Sequence, residues 1–458
     1  MDELIDSFSE KAKRYIHSLP KRTVFPTKEH LVNMKGFDVP LQEHSMDPLD
    51  VMDELDRFGS PATVASSGNR YFGFVIGGAL PAPLGANLLA GVWDQNAGIE
   101  VASPVSSYIE TVCRKWLVDL LHLPTETEVG FVTGATMANF TGLAAARHAL
   151  LARAGWDVEN DGLFHAPLIR VIVGEEVHVS LLKALSMLGL GKNRVTRVPV
   201  DSQGRMRANA VPRYDEPTLI CTQAGNVNTG AFDPIEEICE AASSAHAWVH
   251  VDGAFGLWAA ASPRYEQMLT GIHRADSWAT DAHKWLNVPY DSGLVFVKEK
   301  EHLVSCMSTT AAYLVSRTAR EPFCYVPELS RRSRGIEIWA ALRSLGKTGL
   351  ANLIESNCES ASWFADKLSS AGYQVLNDVV LNQVLVSFGD SGMTQRVIQR
   401  IQDDGTCWCG GTEWHGKTAM RISVSSWKTT QQDIEDSVNA ILRIAGEEAE
   451  RHPGYPVE

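Results

Sequence analysis

The chain has 458 residues, 45% of them hydrophobic and 21% charged, with a net charge of −14 at pH 7. This is the composition of a soluble globular protein long enough for two or three subdomains, and its acidic balance argues against a nucleic-acid binder, which would present a basic face. No run approaches the roughly 18 apolar residues of a membrane helix, and the acidic start MDELIDSFSEKAKRYIHSLP lacks the apolar stretch of a secretory signal.

In chain order, the first 70 residues stand apart. They are polar, with helix-like stretches around LIDSFSEKAKRYIHSL and PLDVMDELDRFGSPA, and show no alternation of strands and helices. They read as an N-terminal arm that packs on something else, such as a second subunit. From about Gly130 to Lys298 the pattern is α/β. LIRVIVG, TLICTQ, AWVHVDG and GLVFVKE read as buried strands. MANFTGLAAARHALLARAG, SLLKALSML and PIEEICEAASSA read as the helices between them. That order predicts a mostly parallel sheet covered by helices. A long helical stretch from GIEIWAALRSLG to FADKLSSAGY follows, and then a smaller α/β unit with strands NQVLVSFG and AMRISVSSW. The expected division is 1–70 for the arm, 71–343 for a large ligand-binding domain and 344–458 for a small C-terminal domain. Eight cysteines are scattered, and only Cys407 and Cys409 are close. Reduced thiols in a cytoplasmic protein fit better than a disulfide framework, and no second ligand pair follows that would suggest a metal.

Four places in the large unit carry chemistry, each at the strand end where ligands of open α/β sheets gather. In FVTGATMANFTG, small Gly134 and Ala135 with the hydroxyl of Thr136 open a helix, a seat for phosphate or an ordinary turn. His178 stands at a helix start, as a cap or as a flat ring for stacking. Asp252 ends WVHVDG, a strand apolar apart from His250. A carboxylate there needs a partner: a heterocycle nitrogen, a metal or a cap. Lys284, in TDAHKWLNVPYDSG, lies between His283 and Trp285. Its ammonium is disfavoured among apolar neighbours, which makes the amine a nucleophile unless its head reaches water. Each has an ordinary reading alone. Together they are the groups that hold pyridoxal 5'-phosphate: a turn for phosphate, a ring to stack, a carboxylate for the ring nitrogen and a lysine for the aldehyde.

From about Arg70 to Trp427 the chain resembles the group II pyridoxal-phosphate-dependent decarboxylases, the aromatic-L-amino-acid decarboxylase kind, with the aspartate aminotransferase-like fold (PLP fold type I). The resemblance rests on NRYFGFVIGGALPAPLGANLLAG, ASPVSSYIETVCRKWLVDLL, HVDGAFG, ADSWATDAHKW and LSRRSRGIEIWAALRSLG. It implies a mostly parallel seven-stranded sheet, a smaller C-terminal α/β domain, and a homodimer interlocked by the arm with active sites at the interface. It implies that Lys284 binds the cofactor aldehyde, Asp252 keeps the ring nitrogen protonated, His178 stacks on the ring and Ala254 packs against its other face. Ala135, Thr136 and His283 would contact the phosphate. Arg421 would bind a substrate carboxylate, with a structural ion pair as the other reading. Tyr313, in MSTTAAYLVSR, matches the loop tyrosine that protonates the substrate α-carbon.

Two departures stand out. Asp281 replaces the Asn or Ser usual at the phosphate, and its charge should turn to backbone donors instead. Val227 replaces the threonine that touches the ring hydroxyl, a contact left to Asn226 or Asn228. The expected activity is decarboxylation of an L-amino acid, releasing CO2 and an amine. A carbon–carbon lyase, a decarboxylative aldolase, an aldehyde-forming decarboxylase and a non-catalytic binding protein are the alternatives.

Overall fold

The computed structural model describes residues 1–309 and 320–451. Its contacts divide the chain into two units. One comprises Gly77–Glu359 with Asn377–Gln383, and the other Met1–Ile76, Ser360–Leu376 and the chain from Val384 onward.

The first unit is built on a seven-stranded sheet in the order β1-β7-β6-β5-β4-β2-β3. The strands are β1 (Glu128–Val132), β2 (Arg170–Gly174), β3 (Thr196–Val198), β4 (Thr218–Gln223), β5 (Trp248–Asp252), β6 (Ser277–Asp281) and β7 (Gly293–Val297). All pairings are parallel except those of β7, which runs antiparallel to both β1 and β6. A short connection from β6 to β7 forces that reversal, since a parallel neighbour needs a long crossover. The run containing Lys284 is this connection.

The predicted apolar runs become strands because both sheet faces are covered. Val171, Val173, Leu219, Cys221, Trp248, Val295 and Val297 join one core with residues of the helices Ala135–Arg153 and Val179–Met187. Strand β6 is less apolar, yet Ser277, Trp278, Ala279, Thr280 and Asp281 are all buried. The helix Ala135–Arg153 packs close because its inner face is small: Ala138, Ala144, Ala145, Ala146 and Ala149 are in the core. A Cβ on Gly142 would lie 2.9 Å from the His250 ring.

In the second unit, β8 (Gln374–Val375), β9 (Gln383–Ser387), β10 (Gly410–Trp414) and β11 (Lys417–Ser423) form a sheet in the order β10-β11-β9-β8. The helices Ser391–Asp404 and Gln431–Arg451 pair through Arg400 with Glu447 and Glu448. The arm joins this unit through Val24, whose N–H donates to the Gly405 carbonyl at 2.9 Å. Tyr71 stacks on Trp408 with ring centroids 5.1 Å apart. The arm helices Asp2–Ser18, Lys28–Asn33 and Pro48–Gly59 contain no buried residue. None of the eight cysteines is in a disulfide. Among the described residues no helix is long and apolar enough to cross a membrane, and no cluster of His, Cys, Asp and Glu could hold a metal.

Candidate active site

The turn after β6 answers why a lysine sits in a buried run. His283, Trp285 and Leu286 on either side are buried, while the Lys284 side chain keeps 19% exposure. Its Nζ lies 3.0 Å from Asp281 Oδ2. The turn is held on several sides. Trp285 Nε1 donates to Asn357 Oδ1 at 2.9 Å, Asn287 Nδ2 donates to the Trp285 carbonyl at 2.8 Å, and Leu80 N donates to the Asn287 carbonyl at 2.8 Å.

Asp281 turns to backbone and side-chain donors as its charge requires. Its Oδ1 accepts from the N–H of Ala135 at 2.5 Å, at the start of the helix Ala135–Arg153, and its carbonyl accepts from Trp258 Nε1 at 2.9 Å. His283 Nε2 lies 3.3 Å from the same Oδ1, and Nδ1 accepts from the N–H of Ser292 at 3.1 Å. Nδ1 being an acceptor, the ring proton is on Nε2, facing Asp281. Burial holds the His283 imidazole below its ordinary range, so the ring is neutral. It stacks on Tyr290 with centroids 4.2 Å apart.

Gly134 and Gly293 bring the helix start against this turn. A Cβ on Gly134 would lie 3.1 Å from His283 and 3.2 Å from Asp281, and one on Gly293 would lie 2.4 Å from the Gly134 backbone. The N–H groups of Thr136 and Met137 in the first turn have no acceptor within the helix, so they are available to an anion.

Asp252 ends β5, whose register places it beside Ala279 of β6 and Gln223 of β4. It is buried. Its Oδ2 accepts from Asn139 Nδ2 at 3.0 Å and its Oδ1 from the N–H of Ala254 at 3.2 Å. Among the described residues no cation stands within ion-pair distance of it. A buried carboxylate so placed suits a cationic ligand such as a pyridinium N–H. Asn139 is a residue that sequence reasoning missed. A buried asparagine among alanines was the available signal.

His178 caps the helix Val179–Met187, its Nδ1 accepting from the N–H of Ser180 at 3.3 Å. It therefore does what its ordinary reading says, and the cap also fixes the ring. Asn226 follows β4 and is buried. Its Oδ1 accepts from the N–H groups of Asn228 and Thr229, and its Nδ2 has no partner among the described residues. The hydroxyl of Ser292 is likewise buried and without one. Two orphaned donors, the N–H groups of Thr136 and Met137, a lysine, and a buried carboxylate with no cation beside it among the described residues fit pyridoxal phosphate. Ala135, Thr136, Asn226, Asp252, Ala254, His283 and Lys284 all belong to the first unit. Arg421 lies on β11 in the second, where burial lowers its guanidinium from the ordinary value. Tyr313 lies outside the described residues.

Residues 32–389 match the pyridoxal-dependent decarboxylase conserved domain. The aromatic-L-amino-acid decarboxylase of Bacillus atrophaeus is 26% identical over 393 residues, covering 81% of this chain and 78% of that one. The L-tyrosine/L-DOPA decarboxylase 2 of Lophophora williamsii is 29% identical over 418 residues, covering 86% and 75%. The crystal structure of Oryza sativa TDC with PLP and tryptamine superposes with a TM-score of 0.89 over 97% of each chain, at 20% identity. The structural likeness shows a shared fold, and the domain match covers most of the sequence. With a site that suits the cofactor, the chain belongs to the pyridoxal-dependent decarboxylase family.

Proposed function

We propose that this decarboxylase acts on an L-amino acid, with pyridoxal phosphate held between the helix start at Ala135 and the end of β5. One observation carries the reading: Asp252, a buried carboxylate with no cation beside it among the described residues, ends the strand next to the one that leads to Lys284. Bound pyridoxal phosphate supplies a ring that accepts electrons from a bond breaking beside the amine nitrogen. Lys284 would hold the cofactor through its aldehyde. Asp252 would keep positive charge on the ring nitrogen, the charge that makes the ring an electron acceptor. His178 would stack on one face of the ring and Ala254 would pack on the other. Ala135, Thr136 and His283 hold the phosphate, and Asn226 offers its free Nδ2 to the ring hydroxyl. Arg421 orients a substrate carboxylate, and Tyr313 donates the proton that replaces the departing CO2, leaving an amine.

The assembly we propose is a homodimer with active sites at the interface. In the arm Val39, Leu41 and Leu55 are exposed, and in the first unit Leu88, Leu89, Val92 and Trp93 are. Exposed apolar sets of this kind mark association surfaces. Eight cysteines without a disulfide suit a reducing compartment, which supports a cytoplasmic setting.

The test has two arms. Borohydride reduction of the holoenzyme should leave a pyridoxyl mass on the peptide containing Lys284, and an adduct on another lysine would reject the assignment. The holoenzyme should also convert at least one member of a panel of aromatic and acidic L-amino acids to the amine with stoichiometric CO2. Aldehyde as the main product would assign it to the oxidative reading, and cleavage without CO2 to the lyase reading.

A further inference from the structure

A line of buried polar groups runs through the large sheet to Asp252. Trp248 Nε1 donates to Ser277 Oγ at 2.9 Å. Ser277 Oγ lies 2.8 Å from His250 Nδ1, and His250 Nε2 lies 2.8 Å from Asn139 Oδ1. Asn139 Nδ2 donates to Asp252 Oδ2 at 3.0 Å. Trp248, Ser277, His250 and Asn139 are all buried within the first unit.

Chemistry fixes the direction of every link. An indole N–H only donates, so Ser277 Oγ accepts there and keeps its own hydrogen for His250 Nδ1 when that nitrogen accepts. A neutral imidazole accepting at Nδ1 carries its proton on Nε2 and donates to Asn139 Oδ1. From the other end, an ionised carboxylate only accepts, so the amide must turn Nδ2 toward Asp252. The carboxylate end sets the polarity of the chain, and the indole end is compatible with it. Burial pushes the His250 imidazole down to about 3, so the relay is neutral and leaves the charge of Asp252 uncompensated. Gly142 opens the space for the ring, since a Cβ there would lie 2.9 Å from it.

We propose that Trp248, Ser277, His250 and Asn139 are positioning residues, a one-way donor chain that holds Asp252 as an ionised acceptor aimed at the ring nitrogen of the cofactor. The proposal rests on the reading above that Asp252 meets that nitrogen. Successive bonds with one polarity strengthen one another, and the last ends on the carboxylate. Breaking the chain at Ser277 frees the imidazole to move its proton to Nδ1. Asn139 can then turn over and present its carbonyl to Asp252. A change three links away would thus raise the proton affinity of Asp252 at the expense of the ring nitrogen.

The experiment loads cofactor-free protein with ¹⁵N-labelled pyridoxal phosphate and reads the ring-nitrogen chemical shift and the cofactor dissociation constant. Wild type should show a protonated ring nitrogen. Asn139→Leu should move the shift toward the unprotonated position and weaken binding roughly tenfold, as expected for losing a hydrogen bond to a charged group. Ser277→Ala, a smaller change in a buried strand, should shift it in the same direction, which a local packing role would not. His250→Gln keeps an acceptor and a donor and should retain the wild-type shift. Circular dichroism checks the fold, and if Asn139→Leu does not fold, Ser277→Ala decides. Asp252→Asn separates the two readings. If it loses the protonated signal while Ser277→Ala and Asn139→Leu keep it, the relay is refuted and the carboxylate assignment stands. If Asp252→Asn also keeps the signal, both fall.

Discussion

His250 is the residue whose burial has the clearest energetic signature. Its imidazole is held down to about 3 from an ordinary 6.5 because the charged form is desolvated. Between those values the unfolded chain binds a proton that the folded chain does not, so stability declines as pH falls below 6.5. The slope from this one group approaches about 1.4 kcal/mol per pH unit. His250→Gln should remove that part of the acid sensitivity. Urea midpoints from pH 7 to pH 4 should fall less steeply in the variant than in wild type, and parallel lines would contradict the assignment. The sequence shows His250 as the one polar break in WVHV, but its partners come from residues 111 and 27 positions away. No local pattern announces such pairs. The same holds for Lys284. Its buried setting is legible in HKWL, and its ion pair needed the turn geometry that brings Asp281 to it.

At the level of elements, the site depends on how closely the start of the helix Ala135–Arg153 approaches β7. Gly293 pairs with Val132 on one side and Asp281 on the other, so it sits where three elements meet. A Cβ there would lie 2.4, 2.6 and 2.7 Å from the Cα, C and N of Gly134. Backbone atoms cannot yield cheaply, and overpacking of this kind costs about 1–3 kcal/mol. Gly293→Ala should lower the thermal midpoint and weaken pyridoxal phosphate binding at least tenfold, because the displaced atoms open the phosphate seat. Gly446→Ala is the comparison. It lies in the helix Gln431–Arg451 with nothing within 4 Å of a new Cβ, and should stabilise by about 0.5–1 kcal/mol. Unchanged cofactor affinity in Gly293→Ala would mean the seat lies elsewhere. The strands that read clearly, β2, β4, β5 and β7, are continuous apolar runs covered on both faces. β6 is the harder case, because Ser277, Thr280 and Asp281 look like loop residues until their buried partners are in place.

At the scale of the whole molecule, the arm stands out for its exposed apolar side chains. Its helices are amphipathic without burying a residue, and Leu41 is 92% exposed. In the proposed homodimer these side chains are covered. Val39→Asp with Leu41→Asp should leave the far-ultraviolet dichroism unchanged and weaken self-association at least tenfold in sedimentation velocity. Desolvating one unpaired charge at an interface is enough for that. A dimer of unchanged affinity would place the contact on other surfaces.

The tryptophans of the site give the protein an optical property. Trp248, Trp258, Trp278 and Trp285 are fully buried. Trp258 bonds the Asp281 carbonyl, and Trp285 follows Lys284 directly in the chain. Shielded from water, these indoles emit at short wavelength. A conjugated ring bound at Lys284, as proposed, would absorb where they emit, and resonance transfer would dim them in proportion to occupancy. Loading of the site can thus be followed by intrinsic fluorescence with no substrate present.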